Sequence, residues 1–518
     1  MVRYVMRTHR VFVFIRPMNL PWVVITDPFE SQDILLRRTK EFDRSTFFAE
    51  IISDIQPEGH NQFLSTDARF KHNRNLINHL MAPTFLTQVS GPQIYKAALA
   101  MIRLWELKTA IAKGHPFNAH EDITYMTLDA IFAAMFGHPE SDSCTTRRLA
   151  SVSDGPHLSL PPNPDTPMTF PPSTLPSIFA AALTVAGLLM NIQLSPLPRI
   201  TSWILCKFPY MKRATAIKDG YIRDAINSYL PLLTTSTQEA DEPPQTALQS
   251  VLLRERAVAT RAGRPPQYYS RAIADEFFGF MLAGHDTSAT TLAWGVKLLA
   301  DYPVVQDKLR AGLRTAFHEA MEQRRLPSYT EFVEALLQGG GGEGVEYLDA
   351  VVEEILRHAN TVDFVVRRVV ADGVKVLGKS VPRGTDVFMP ANGAGYLKAN
   401  MVLADKERSP GARREKGEKV WLTRPWDNAD LGEFKPERWL KEDGTFDHKA
   451  GPTLAFGLGP RGCYGKKFAL LQLRIQLTLL VLRFRLLKTP VELSGYDAVQ
   501  RVTREPKQCY VRLSDAMA

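Results

Sequence analysis

Cysteine is scarce in this chain: Cys144, Cys206, Cys463 and Cys509 are the only ones in 518 residues, and no two lie at metal-ligand spacing. That scatter excludes a disulfide framework and a zinc site built from paired thiols, and it suits a protein whose thiols stay reduced. Long apolar runs are missing too. Arg3, Arg7, Arg10 and Arg16 interrupt the start of the chain, which leaves nothing near the ~20 apolar residues that span a bilayer, and the run Ile178 to Met190 is also too short. No secretory signal or internal repeat is visible. The net charge of +8 comes with no nucleic-acid motif, so no nucleic-acid partner is expected.

What the chain does have is one cysteine in an unusual setting. Cys463 lies in the run Phe456-Gly457-Leu458-Gly459-Pro460-Arg461-Gly462-Cys463-Tyr464-Gly465. Glycines on both sides, with Gly459 and Pro460 ahead, describe a backbone that turns sharply where side chains would obstruct a flat macrocycle. Downstream, Phe468, Leu471, Ile475, Leu479 and Leu482 recur at helical spacing, so Cys463 stands just before a buried amphipathic helix. Free amide donors and the positive end of the helix dipole favour a thiolate there, and amide hydrogen bonds to sulfur tune a bound iron. The weaker reading is a buried small hydrophobe in a Gly-rich loop.

The pattern F-x-x-G-x-R-x-C-x-G is complete, and in it the chain resembles the cytochrome P-450 family of haem-thiolate monooxygenases. Three further motifs follow in family order. The resemblance implies that Cys463 is the axial metal ligand of haem b (heme, iron protoporphyrin IX), with Phe456, Gly459, Arg461 and Gly465 around the cofactor and Arg461 reaching a propionate. The second motif is Ala283-Gly284-His285-Asp286-Thr287-Ser288, in a helical stretch from about 271 to 300 that would cross the haem. Asp286 and Thr287 form the carboxylate and hydroxyl pair that would deliver protons where dioxygen (O2) is split. Gly284 and the threonine hydroxyls weaken a regular helix, so a local bulge is expected beside them. His285 is expected to pack rather than ligate.

The third motif, Glu354-Ile355-Leu356-Arg357, puts opposite charges three residues apart on one helical face. Exposed, such a pair contributes only about 0.3 to 0.5 kcal/mol. Its meaning comes from the fourth, Phe434-Lys435-Pro436-Glu437-Arg438-Trp439, whose Arg438 matches the family arginine that joins Glu354 and Arg357 in a buried triad supporting the cysteine loop. Arg74 follows Phe70 where many members carry W-x-x-x-R, and it is expected at a propionate. Of the neighbours Arg367 and Arg368, Arg367 is preferred for the other propionate.

The fold class implied is mainly α with small β-sheets (α+β), a single catalytic domain over residues 1–518, with the haem between a long distal helix and the helix after Cys463. Helical patterns cover residues 92 to 112, 122 to 136, 217 to 233, 271 to 300, 303 to 324 and 345 to 358. Strand signals occur at Val11 to Ile15, Trp22 to Ile25, Val374 to Leu377 and Val387 to Met389. Gly339 to Gly344 reads as a connector and 155–176 as an irregular Pro-rich loop. The apolar segment 178–205 reads either as a lid facing a bilayer or as a core helix.

Lys466 and Lys467 sit in the first turn after Cys463, where cations oppose the helix dipole. With Arg474 and Lys435 they are expected to form a basic face on the cysteine side of the haem. That face suits an acidic flavin partner, an NADPH-dependent cytochrome reductase carrying FAD and FMN. The resemblance further implies a small apolar substrate, a monomer, and residence on the cytoplasmic face of the endoplasmic reticulum membrane. The usual N-terminal anchor is not seen in this chain, so a cytoplasmic or peripheral protein meeting membrane by another surface is the other expectation. The pocket is expected from Phe277 to Gly284, Thr361 to Val365, residues 45 to 65 and Val499 to Thr503, with Asp363 its one charged member. The layout, including Trp421 to Trp426, is similar to filamentous-fungal members that oxidise terpenoids, polyketides or alkaloids in secondary metabolism. The alternatives are a haem-thiolate isomerase or dehydratase needing no reductase, a haem sensor without catalysis, and a helical interaction protein without haem.

Overall fold

The computed structural model describes residues 11–14, 22–155, 158–195, 197–235, 244–337, 342–399, 403–413 and 423–517. Residues 1–10, Ile15, Pro156, half of the glycine connector and Trp421 lie outside the described residues.

Helices dominate, and the longest runs from Arg271 to Asp301, begun by the Ser270 side chain accepting from the Ile273 amide. It lies against His120–Phe136, Gly342–Ala359 and Lys466–Arg483. Its C-terminal half is buried on every face from Ser288 to Leu299. A helix buried all round needs neighbours on all sides, which is why this one forms the axis of the body. It runs without interruption past Gly284, so the expected bulge is absent. The reason is packing: a side chain at Gly284 would come within 2.9 Å of Ile131 Cδ1, so the glycine admits the neighbouring helix rather than loosening its own.

The main sheet has five strands in the order Val11–Phe14, Trp22–Ile25, Asp386–Pro390, Phe364–Val369, Phe42–Arg44. Trp22–Ile25 and Asp386–Pro390 run parallel, and the other pairs are antiparallel. The hairpin of Ala498–Gln500 with Arg504–Pro506 lies apart from that sheet and touches the long helix.

Residues 158–176 contain no helix and are tied down by Arg148 to the Pro171 carbonyl and Arg512 to Asp165. The apolar run from Ile178 belongs to a helix, Ser177–Leu194, that buries Phe179, Val185, Leu188 and Ile192 against Phe132 and its neighbours. One face of that stretch packs on the core, and Ala180, Thr184, Gly187 and Asn191 are exposed on the other. The exposed apolar surface lies just beyond it, on the helix Pro198–Leu205 and its flanks.

Candidate functional site

Cys463 sits between a one-turn helix, Gly459–Arg461, and the N-terminus of Lys466–Arg483. Its own amide donates to the Phe456 carbonyl at 2.7 Å, closing the loop. Gly459 is required twice over: its φ is +70°, and a Cβ there would stand 2.0 Å from the Leu35 carbonyl oxygen. At Gly465 a Cβ would meet nothing, so that glycine borders open space beside the sulfur.

Cys463 is exposed. Yet enough protein surrounds it that burial pushes the thiol up, against the Gly465 amide and the charges of Lys466 and Arg74, which pull it down. The amide donor expected from sequence is present, but burial outweighs it. A coordinated metal would deprotonate the thiol regardless.

Opposite lies the long helix. Phe280 packs edge-on against Tyr464 with ring centroids 5.7 Å apart, so this helix and the cysteine loop wall the same region. Ala283, on the next turn, is exposed, while Met281 and His285 two residues to either side are buried. Phe277, Phe278 and Met281, expected in the pocket, are instead fully buried, with Phe277 against Phe136. Val362 and Val499 carry the free apolar surface of their segments. Asp363 is half-buried and accepts from Asn360 and Asn392, at 3.3 and 3.2 Å, which ties its loop to the turn after Asp386–Pro390.

At the edge of the region the arginines gather. Arg44 and Arg367 are paired directly across neighbouring strands, a destabilising arrangement of like charges. Burial and the charges of Arg461 and Arg367 push Arg44 down to about 9, and burial with Arg461 pushes Arg367 down to about 10. Asp43 is the carboxylate that counters them, and it is held by Arg461 and Ser65 at 3.2 and 2.8 Å. Arg461 also donates to Ser65 and the Phe63 carbonyl and lies over the Phe70 ring. Arg74 reaches the Pro460 carbonyl and stacks over Tyr464. Arg368 is taken by Asp386 at 2.7 Å, which leaves Arg367 as the neighbour facing the cluster. Three cations around one carboxylate fit a group bearing two further carboxylates, as haem does. Arg44 escaped the sequence reading because no motif surrounds it; its only signal is its register opposite Arg367.

Behind the cysteine loop, Glu354 is fully buried and accepts five hydrogen bonds: two from Arg357, and one each from Arg438 Nε, the Lys435 amide and Trp439 Nε1, all between 2.8 and 3.1 Å. Burial works to raise its carboxyl, but the bonds and charges of Arg357 and His358 hold it far below the usual carboxylate range. Arg357 also donates to the carbonyls of Tyr396, Leu431 and Glu433, tying the long approach segment to this helix. Trp439 is a member of this network that the sequence motif did not reveal.

Asp286 and Thr287 are adjacent on the long helix, but their side chains part. Thr287 Oγ1 donates to the Ala283 carbonyl, and Asp286 accepts from Thr503 of the C-terminal hairpin at 3.0 Å. His285 is buried, with its ring on the Met281 carbonyl, and packs as expected. The basic face is smaller than expected, because Lys435 is paired with Asp430 and Arg474 with Asp349. Lys466 and Lys467 remain exposed.

Comparison with known proteins agrees with this geometry. A family model described as Cytochrome P450 matches residues 1–398 and 425–509. The chain belongs to the cytochrome P450 family and is a haem-thiolate monooxygenase, with O2, a small-molecule substrate and a redox partner. It is 33% identical over 524 residues to the Cytochrome P450 monooxygenase TRI13 of Fusarium sporotrichioides, covering 97% of this chain and 87% of that protein. It is 32% identical over 504 residues to the Cytochrome P450 monooxygenase xilC of Penicillium crustosum, covering 96% and 83%. The crystal structure of the cytochrome P450DA heme domain shares the fold, with a TM-score of 0.67 at 18% identity over 98% of this chain and 90% of that one. The isomerase, sensor and haem-free readings are not favoured.

Proposed function

We propose that Cys463 would hold the haem through its thiolate, that Arg44, Arg74, Arg367 and Arg461 would neutralise its propionates, and that residues 1–518 act as one catalytic domain. The observation that carries this reading is an exposed Cys463 in a loop packed against Phe280 of the long helix, with a carboxylate-poor arginine cluster beside it. When bound, the haem supplies activation of dioxygen and transfer of one oxygen atom to an apolar substrate.

The chain's residues do the remainder. Ala283, Phe280, Val362 and Val499 give apolar walls that exclude water and orient a substrate of matching polarity. Thr287 holds a proton at Oγ1, resting on the Ala283 carbonyl, and releases it by turning into the cavity. Asp286 resupplies it. Glu354, Arg357, Arg438 and Trp439 fix the loop that presents the sulfur. Electrons come from NADPH through a flavin reductase that meets Lys466 and Lys467. The substrate class is a fungal secondary metabolite such as a terpenoid, polyketide or alkaloid, a reading supported by the fungal relatives.

The protein acts as a monomer on the cytoplasmic face of the endoplasmic reticulum. Among the described residues no helix is long and apolar enough to cross a membrane. Support for a surface contact comes from Ile200 and Trp203, 53% and 57% exposed, with Leu197, Ile204, Phe208 and Tyr210 beside them and the exposed cations Arg199, Lys207, Lys212 and Arg213 around them.

The deciding experiment is the spectrum of reduced protein under carbon monoxide. A strongly red-shifted Soret band in the natural protein, absent in Cys463→Ala, is the expected result. An unchanged band in that variant would remove Cys463 as the ligand.

A further inference from the structure

The hairpin Ala498–Pro506 brings a second carboxylate to Asp286. Thr503 is fully buried, and its hydroxyl donates to Asp286 Oδ2 at 3.0 Å while lying 3.0 Å from Thr290 Oγ1. A hydroxyl has one hydrogen, so with it on Asp286 Thr503 must accept from Thr290. Two residues on, in the strand Arg504–Pro506, is the buried Glu505. Its Oε2 lies 3.7 Å from His120 Nε2 and 3.5 Å from Arg501 Nε. His120 opens the helix His120–Phe136, and its side chain is 32% exposed. On the hairpin side of the long helix, Asp286 therefore has within reach of its charge a buried acid, Glu505, which in turn neighbours a partly exposed histidine.

We propose that Glu505 holds the proton that recharges Asp286, and that protons enter from solvent beside His120. This rests on the reading of Asp286 as a proton-carrying residue. The charged groups facing Glu505 are Asp286 from the long helix, His120, with Glu121 next to it, from the second helix, and Arg501 from its own hairpin. Burial and the charge of Asp286 push Glu505 up to about 7, with Arg501 pulling the other way. Burial and Arg501 push His120 down, against Asp286 and Glu121. With its carboxyl near 7, Glu505 carries a proton through much of the neutral range. Each proton that Asp286 gives up is replaced from Glu505, which takes one from water beside His120, so the charge of the pair is restored. The route avoids the apolar cavity, from which water must be kept.

The test compares the natural chain, Glu505→Gln, Asp286→Asn and the double variant, all haem-loaded and checked by their carbon monoxide spectra. The first readout is thermal unfolding against pH. A buried carboxyl raised toward 7 costs the fold stability once ionised, so Glu505→Gln should melt higher than the natural chain near pH 8 and with it near pH 5. The second is substrate-free NADPH consumption driven by a purified flavin reductase, in H2O and in D2O. Glu505→Gln should slow it about tenfold, less than the ~100-fold minimum typical of a direct general acid, and enlarge the isotope effect. The double variant should be no slower than Asp286→Asn, because both act in one line. If Asp286→Asn slows consumption and Glu505→Gln does not, Glu505 is no donor and the Asp286 reading survives. If neither slows it, both ideas fall. Should Glu505→Gln load no haem, Glu505→Asp replaces it: the shorter acid should keep a pH-dependent melting curve, and consumption at the natural rate and isotope effect with that dependence lost would overturn the proposal.

Discussion

Replacing Glu354 by alanine would leave two buried guanidiniums, of Arg357 and Arg438, facing a space that once held their shared carboxylate. It would also strip acceptors from the Trp439 indole and the Lys435 amide. Removing one partner of a buried ion pair costs about 3 to 5 kcal/mol. Partial compensation exists, since Arg357 keeps three backbone carbonyls and Arg438 keeps Asp430 at 2.8 Å. The lower end, about 3 kcal/mol, is therefore expected. That is a roughly 100-fold rise in the unfolded fraction and a large part of the ~5–15 kcal/mol that holds a typical domain together. The assay is denaturant unfolding followed by far-ultraviolet dichroism, with the haem-loaded fraction measured alongside. A loss under about 1 kcal/mol, the range of an exposed pair, would refute the reasoning.

The same group sets a pH signature. Its folded carboxyl lies below the unfolded value of about 4.3, so its contribution is complete above that value and fades as pH falls toward the folded one. Glu354→Gln should flatten the acid limb of the stability curve while lowering stability at neutral pH.

Other expectations follow from single contacts. Thr287→Ala should retain haem and raise the hydrogen peroxide formed per NADPH consumed; an unchanged yield would remove the hydroxyl from the relay. Arg367→Leu should weaken haem retention in a competition assay with apomyoglobin, whereas Arg368→Leu, which only frees Asp386, should do so less; equal effects would dissolve the distinction. Ile200→Glu with Trp203→Glu should lower binding to vesicles of anionic lipid at least tenfold without shifting the carbon monoxide band, and undiminished binding would point to another surface.

Much of the candidate site is legible along the chain because its pieces are local. The turn at Gly459, the cysteine at a helix start and the pair Glu354 and Arg357 one turn apart each depend on neighbours within a few residues. The helices at 92–112 and 122–136 emerge near their observed bounds because their apolar period is unbroken. Phe364–Val369 hid because Arg367 and Arg368 interrupt an apolar run, although it is an interior strand of the main sheet. The run from Ile178 looked equally fit for membrane or core, and hydropathy alone does not distinguish the two.

Local chemistry therefore fixes the cysteine loop, the ion pair and the acid beside the hydroxyl, since peptide geometry and helical period act over short distances. Only the packed molecule decides which arginine turns inward, that Trp439 completes the carboxylate's shell, and that Asp286 leans on Thr503 with Glu505 behind it. Those partners are separated by tens to hundreds of residues, and long-range contacts are set by how burial arranges whole elements, which no short stretch of sequence encodes.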